Sequence, residues 1–197
     1  MKVKFVNLKK QWNKERKDLL KIIDRTINSG DWVGGKNIQL FEKKISKICN
    51  TKYAVALNSG TDALTLALFS LGVKKGDEVI TTSNSFVASV SVIVHLGAKP
   101  VFVDVLPDQT MDPSLLEKKI TKKTKAIIAV DIFGFPADLD SIKKIIKGKN
   151  IKILSDNAQA PYAIYNNKIS GTNADMGGFS FNYHKHINTG EGGVIIT

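Results

Sequence analysis

The 197-residue sequence has little of what marks several common classes of protein. Cys49 is its only cysteine, which excludes a disulfide framework and a cysteine-rich metal site. No apolar run approaches the roughly 20 residues that span a bilayer. The first five residues, Met1 to Phe5, lack the apolar stretch of a secretory signal. We therefore expect a cytoplasmic protein without a membrane partner.

Arginine is also scarce, although the chain is basic. Only Arg16 and Arg25 are arginines among 29 basic residues, and 18 acidic residues leave a net charge of +11. Proteins that read nucleic acids usually rely on arginine or on aromatic residues interleaved with the charge. Here the lysines lie in helix-like stretches such as 143–147. A solvated lysine-rich surface is the favoured explanation, and we expect no nucleic-acid partner; a steep salt dependence in filter binding would indicate the alternative.

The composition is that of an ordinary globular chain, with 43% hydrophobic and 24% charged residues. Apolar residues recur at helical spacing in residues 1–50, which predicts a helical N-terminal segment ending a first helix at Asn28-Ser29-Gly30. Beyond it, short strands alternate with helices, which predicts an α/β fold: a mostly parallel, mixed central sheet with helices on both faces. Strands are expected at 53–57, 78–82, 100–105, 125–131, 151–156, 163–165, 178–181 and 193–197, and helices at 60–71, 86–96, 139–146 and from Pro113, capped by Asp112.

The segment Asn58-Ser59-Gly60-Thr61-Asp62 joins a predicted strand to a predicted helix. A glycine there lets a phosphate approach the backbone, and a helix N-terminus offers free N–H groups. Simple helix capping by Ser59 explains the same residues. The segment lacks the lysine of a P-loop, and the chain has no GxGxxG dinucleotide motif.

Two further segments carry candidate chemistry. Asp156 follows a predicted strand, and so lies at the carboxyl edge of the sheet, where ligands of open α/β folds bind; a helix cap is the alternative. Lys185 lies among aromatic residues, where desolvation would lower its pKa, although most lysines are surface charges. His184 and His186 flank it without a third ligand of clear spacing, so we expect no metal site.

Together these segments resemble the DegT/StrS family of sugar aminotransferases that depend on pyridoxal 5'-phosphate. The resemblance rests on NSGTDALTLAL, SFVASVSVIVHLGAKPVFVDV, SDNAQA and FSFNYHKHINTGEGGVIIT, which occur in the family's order, and on the opening GDWVGGKNIQLFEKKIS. It covers nearly the whole chain. It implies that residues 1–197 form the large, cofactor-binding domain of fold type I, without the C-terminal small domain.

The resemblance also implies a role for each matched residue. Lys185 falls where the family places the lysine that holds the cofactor as a Schiff base, and Asp156 where a carboxylate pairs with the pyridine nitrogen. Gln159 matches a residue near the ring hydroxyl. Phe86, which its sequence context alone assigns to the core, matches the aromatic residue stacked on the ring. The matched phosphate ligands are Gly60, Thr61 and Ser180.

The implied activity is transfer of an amino group from an amino-acid donor, glutamate, to a nucleotide-linked keto-sugar, in an enzyme that works as a homodimer. Some relatives have histidine at the lysine position and act as sugar dehydratases, so Lys185 favours the aminotransferase. An inactive remnant that only folds or dimerises is the other alternative. Family members continue into a C-terminal domain, so the sequence is either a fragment of a longer enzyme or a half-enzyme.

We expect the 197-residue chain by itself to aggregate or to be marginally stable, and to lack aminotransferase activity. A few hundred Å2 of uncovered apolar sheet surface would cost several kcal/mol at about 25 cal/mol per Å2, against a domain stability of roughly 5–15 kcal/mol. The measurement compares it with an extended chain, in which a relative's C-terminal domain follows Thr197. Cooperative melting and turnover by the short chain would contradict this expectation.

Overall fold

The computed structural model describes residues 3–4 and 6–197. Met1, Lys2 and Phe5, on which part of the expectation for the N-terminus rests, lie outside the described residues. The chain divides into two compact units, one ending at Phe41 and the other beginning at Glu42. No helix in the described part of the chain is both long enough and apolar enough to cross a membrane.

The first unit contains a long amphipathic helix, α1 (Leu8–Ser29). The side chain of Asn7 begins this helix by accepting a hydrogen bond from the Lys10 backbone N–H at 3.1 Å. Gly30 ends it in the left-handed conformation (φ 77°), and its N–H donates to the Ile27 carbonyl. The helix therefore stops at the turn that the sequence predicts. A second helix, α2 (Gly35–Cys49), spans the boundary between the units.

The second unit is built on a seven-stranded sheet. Its elements in chain order are β1 (Ala54–Leu57), α3 (Gly60–Ser70), β2 (Glu78–Thr82), α4 (Ala88–His95), β3 (Lys99–Val103), β4 (Thr124–Val130), α5 (Leu139–Ile145), β5 (Lys152–Asp156), β6 (Ile164–Tyr165), β7 (Lys168–Ile169), β8 (Met176–Ser180) and β9 (Gly193–Ile196). The strand order is β1-β9-β8-β5-β4-β2-β3, and β6 pairs with β7 separately. Within the seven-stranded sheet, neighbouring strands are parallel except for β9, which runs antiparallel to β1 and β8, and the separate β6–β7 pair is antiparallel. The predicted α/β fold with a mixed, mostly parallel sheet is confirmed.

Both faces of the sheet are covered by apolar side chains. Along β4, Ile128 belongs to one core cluster, with Leu64 of α3 and Val92 of α4, because alternate residues of a strand point to opposite faces. Its neighbour Ile127 belongs to the other cluster, with Leu139 of α5. Two buried faces explain why the central strands are continuous apolar runs in the sequence.

The structure differs from the sequence-based expectation in two places. The helix expected from Pro113 is a pair of short 3-10 turns, Pro113–Leu115 and Glu117–Lys119, although Asp112 does cap the first by accepting the Ser114 N–H at 2.9 Å. The capping residue determines where the first turn begins. The length of the helical segment follows from packing, because Leu116 is fully buried in the core. Helix α4 begins at Ala88, so Phe86 precedes it in the connecting segment.

The turn between β1 and α3 packs closely against β8 and β9 because two residues have no side chain. A Cβ atom at Gly60 would lie 2.6 Å from the Cβ of Ser180, and one at Gly193 would overlap the backbone carbonyl of Ser59. Neither close approach tolerates a larger residue unless a strand moves. The glycines thus fix the position of the turn relative to both strands.

We predict that Gly193→Ala lowers the stability of the extended chain by about 3 kcal/mol, because the methyl group meets rigid backbone. The Tm should fall by about 4 °C in a thermal unfolding experiment on a chain of that size. Gly178→Ala on β8 is the matched control, since its Cβ would meet only the flexible Leu64 side chain, at 3.2 Å, and should cost less. Equal Tm values for the two variants would contradict the prediction that the close contact between Gly193 and the Ser59 backbone limits stability.

Candidate functional site

The candidate site lies at one edge of the sheet. Strands β1, β8, β5, β4 and β2 run in the same direction, so their carboxyl ends meet at this edge. Asp156 ends β5, Ser180 ends β8, and the Ser59-Gly60 turn follows β1. Open α/β sheets bind their ligands at this edge. Segments that are far apart in the sequence are thereby brought together.

Asp156 is a buried carboxyl group, with 5% of the residue exposed. Its Oδ2 accepts a hydrogen bond from the Ser89 hydroxyl at 2.7 Å, and its Oδ1 accepts one from the Ala158 backbone N–H at 3.1 Å. Burial raises the pKa of Asp156, whereas these two donors and the charge of Lys185 act in the opposite direction. A carboxylate that is desolvated in this way gains most from a cationic partner.

Lys185 lies in the loop between β8 and β9, where it is partly buried. Its backbone N–H donates to the Asn182 carbonyl at 2.8 Å. Desolvation lowers the pKa of the Lys185 amine, and the nearby Asp156 carboxylate partly offsets this effect. The structure therefore brings together the acid and the amine that the sequence singles out. A lysine with a lowered pKa has a larger neutral, nucleophilic fraction at a given pH.

Asn182 organises the loop that carries Lys185. Its side-chain amide donates to Glu191 at 2.5 Å across the loop, and its backbone carbonyl accepts the Lys185 N–H. At the end of the loop, the Phe181 N–H donates to the Gly192 carbonyl at 2.8 Å, which joins the loop ends as β8 and β9 pair. The loop is thus held at both its base and its middle.

The N-terminus of α3 lies beside Ser180. The Ser59 hydroxyl accepts the Asp62 N–H at 3.0 Å, so capping, the simpler explanation of this turn, does occur. Capping leaves the first backbone N–H groups of the helix, at Gly60 and Thr61, without acceptors in the preceding turn, since α3 begins there. These groups and the Ser180 side chain form a place where an anion would be stabilised.

Phe86 and Gln159 are the two remaining candidate residues. Phe86 lies far before Asp156 in the chain, and Gln159 lies shortly after it. Phe86 is 62% exposed, and its carbonyl accepts the Ser89 N–H at 3.1 Å, which places it three residues before the serine that contacts Asp156. Gln159 is partly buried and follows the turn made by Asp156 and Ala158. The sequence context of Phe86 alone assigns it to the core. The structure shows instead an exposed ring near the edge of the site.

Sequence reasoning missed a second buried carboxylate, Asp131. It is fully buried after β4, and its Oδ1 accepts the Ala137 N–H at 2.9 Å. Its Oδ2 accepts hydrogen bonds from the Asn157 side-chain amide, at 2.6 Å, and from the Ser170 hydroxyl. Burial raises the pKa of Asp131 to about 6, and the charge of Asp156 contributes in the same direction. Asp131 follows its strand directly, as Asp156 ends the next one, so the same edge rule could have identified it.

The histidines that flank Lys185 are exposed. Within residues 3–4 and 6–197, no group of three or more histidine, cysteine, aspartate or glutamate side chains is placed to hold a metal ion. Tyr183 and His184 contact each other edge to face, with ring centroids 5.1 Å apart. The polar groups of the described site therefore consist of carboxylates, an amine, hydroxyls and backbone N–H groups.

Two of the curated proteins that are similar to this chain are named for nucleotide sugars. It is 40% identical to a GDP-perosamine synthase of Escherichia coli O157:H7 over 188 residues, which are 93% of this chain and 50% of that protein. It is 37% identical to a dTDP-3-amino-3,4,6-trideoxy-alpha-D-glucose transaminase of Streptomyces venezuelae, over 100% of this chain and 52% of that protein. The chain spans about half the length of these curated relatives.

Solved structures share the fold. S. venezuelae DesV in complex with a ketimine intermediate superimposes with a TM-score of 0.92 at 37% identity, over 99% of this chain and 53% of that one. An E. coli GDP-4-keto-6-deoxy-D-mannose-3-dehydratase with bound hydrated PLP superimposes with a TM-score of 0.85 at 35% identity, over 90% and 48% of the chains. Both an aminotransferase fold and a dehydratase of the same fold are thus similar to this chain.

The family model described as the DegT/DnrJ/EryC1/StrS aminotransferase family matches residues 13–197, which is almost the whole chain. This match agrees with the fold, with the sheet-edge site and with the resemblance found in the sequence. The chain belongs to the DegT/DnrJ/EryC1/StrS aminotransferase family.

Proposed function

We propose that this chain is the cofactor-binding part of an aminotransferase that uses pyridoxal 5'-phosphate to transfer an amino group to a nucleotide-linked keto-sugar. The amino donor is an amino acid, glutamate, and the complete enzyme is a cytoplasmic homodimer. The observation that carries the proposal is the buried Asp156 carboxylate within electrostatic reach of the desolvated Lys185. The names of the similar proteins support the substrate class.

The residues at the sheet edge fit the cofactor. A protonated pyridine nitrogen would be a further cationic partner for the buried Asp156 carboxylate, beside the Lys185 amine. The N–H groups of Gly60 and Thr61, with the Ser180 hydroxyl, would hold the phosphate. The close approach at Gly60, which a Cβ atom would block, brings the Ser180 side chain against the first turn of α3, beside these N–H groups.

The remaining residues of the proposed site orient the ring. Phe86 would stack on the ring face, for which its exposed side chain is available. Gln159 would contact the ring hydroxyl. When bound, pyridoxal 5'-phosphate supplies an electron sink for the carbanion formed at the substrate carbon.

The chemical roles proposed for Asp156 and Lys185 follow from the environments of their side chains. Asp156 keeps a proton on the ring nitrogen, because a buried carboxylate stabilises the adjacent positive charge. Lys185 Nζ would hold the cofactor's reactive carbon and, as a free amine, would take a proton from the carbon that bears the donor's amino group. The lowered pKa of Lys185 increases the neutral fraction of the amine that can do so. Lys185 favours amino transfer over the dehydration named for some structural neighbours, because the family resemblance implies a histidine at this position in the dehydratases.

We predict that borohydride reduction of the protein loaded with pyridoxal 5'-phosphate fixes a pyridoxyl group on Lys185. The expected result is the corresponding mass on the single peptide that contains Lys185, found by mass spectrometry. Lys185→Arg, which keeps the positive charge, should bind the cofactor reversibly and retain no label. Label on a different lysine, or none despite bound cofactor, would show that the covalent role is assigned wrongly.

A second prediction concerns Asp156→Asn, which preserves size and removes the charge beside the ring nitrogen. Transamination by the extended chain should fall by orders of magnitude, while the cofactor still binds through its phosphate. Turnover and cofactor absorbance are measured together. Asp175→Asn is the matched control, since it makes the same change at an exposed carboxylate paired with Lys152, and it should leave turnover unchanged. Normal turnover in Asp156→Asn would mean that a different group serves the nitrogen.

A further inference from the structure

Asp131 has no part in the proposed chemistry, yet it is the most fully hydrogen-bonded carboxylate near the site. Its donors come from three separate segments: Ala137 in the loop before α5, Asn157 directly after β5, and Ser170 directly after β7. The side chain is completely buried. A charge is retained in such a place only when its lone pairs are satisfied by donors. The three donors favour the carboxylate form and so oppose the effect of burial on this group.

The same network also holds the backbone around Asp156. The Asp131 N–H donates to the Asp156 carbonyl at 2.9 Å, and the Asn157 N–H donates to the Gly178 carbonyl of β8 at 2.8 Å. The Asn157 side chain, fixed by Asp131, thus belongs to a residue whose backbone is already held between β4 and β8. Rotation of the Asp156-Asn157 peptide would break all of these bonds at once.

The charged group that faces Asp131 from the neighbouring strand is Asp156, whose charge raises the pKa of Asp131. The groups that face it from the other packed segments, the Ser170 hydroxyl and the amides of Asn157 and Ala137, are uncharged. Asp156 in turn faces Ser89 from α4 and the Lys185 amine from the β8–β9 loop. The charge of the buried Asp156 carboxyl group therefore acts on Asp131.

We propose that Asp131 is a positioning residue for Asp156: its carboxylate holds the Asn157 side-chain amide and so fixes the peptide segment from which Asp156 reaches the cofactor nitrogen. The inference rests on the proposed function for the role of Asp156. The hydrogen-bond network around Asp131 does not depend on the proposed function, because it is formed by residues of this chain alone.

Asp131→Asn tests the proposal, because it keeps the shape of the side chain and places an amide N–H2 opposite the donors. Asp138→Asn is the matched control. Asp138 is a nearby carboxylate that caps α5 by accepting the Ser141 N–H at 3.1 Å, and asparagine caps equally well. Both variants are made in the 197-residue chain and in the extended chain, so that poor solubility of the short chain does not prevent the measurement.

The first measurement needs no cofactor. Hydrogen exchange of the Ala158 amide, which donates to Asp156 Oδ1, reports whether the Asp156 turn is ordered. Exchange should be about tenfold faster in Asp131→Asn, through more frequent local opening, and unchanged in Asp138→Asn. Exchanging the partners in the double variant Asp131→Asn, Asn157→Asp restores one donor and one acceptor and should recover protection. Unchanged exchange in Asp131→Asn would overturn the proposal.

The second measurement is the pH profile of the absorbance of bound pyridoxal 5'-phosphate. The profile of the unchanged protein should contain an inflection from Asp131, which disappears in Asp131→Asn and persists in Asp138→Asn. Ser170→Ala removes one donor to the carboxylate and should move the inflection to higher pH, a result that does not depend on Asp131→Asn folding. Identical profiles in all variants would overturn the proposal. Failure of the unchanged protein to bind the cofactor would instead refute the proposed function, and hydrogen exchange would still decide the role of Asp131.

Discussion

The parallel direction of the strands is the constraint on which the candidate site depends. Because β1, β8 and β5 run the same way, the residues that follow them meet at one edge although they are distant in sequence. Strand β9 is the exception, and its reversal has a consequence of its own. It runs back between β1 and β8, so the loop that carries Lys185 must leave and re-enter the sheet beside the Ser59-Gly60 turn.

The glycines at this point show how packing and binding depend on each other. Gly193 begins β9 against the carbonyl of Ser59, and Gly60 begins α3 against Ser180. Neither has a positive φ, so neither is needed for conformational freedom. Their role is to let backbones approach. The lack of side chains that allows three segments to pack together also places Ser180 beside the N–H groups at the start of α3.

Burial of charge is the energetic counterpart of this arrangement. Asp156 and Asp131 end adjacent strands and are almost completely removed from water, which raises the pKa of both. Hydrogen-bond donors offset part of the cost of burying these charges. Asp131 accepts hydrogen bonds from three donors, whereas Asp156 accepts them from two. This difference is the basis for assigning a positioning role to Asp131 and the cofactor nitrogen to Asp156 in the proposals above. The partly buried Lys185 amine acts on the second of these carboxylates, Asp156.

The sequence by itself determined the alternation of strands and helices, because apolar periodicity reports which faces of each element are buried. It also determined that Asp156 and Lys185 carry the candidate chemistry, and the cap at Ser59, because these depend on local pattern and family motifs. Tertiary structure alone decided that Phe86 is exposed, that the Pro113 segment forms only short 3-10 turns, and that Asp131 joins Asn157 and Ser170. Those features depend on contacts between residues as many as 39 positions apart. Such contacts leave no periodic signal in a single sequence, since they are set by how the strands are ordered in the sheet.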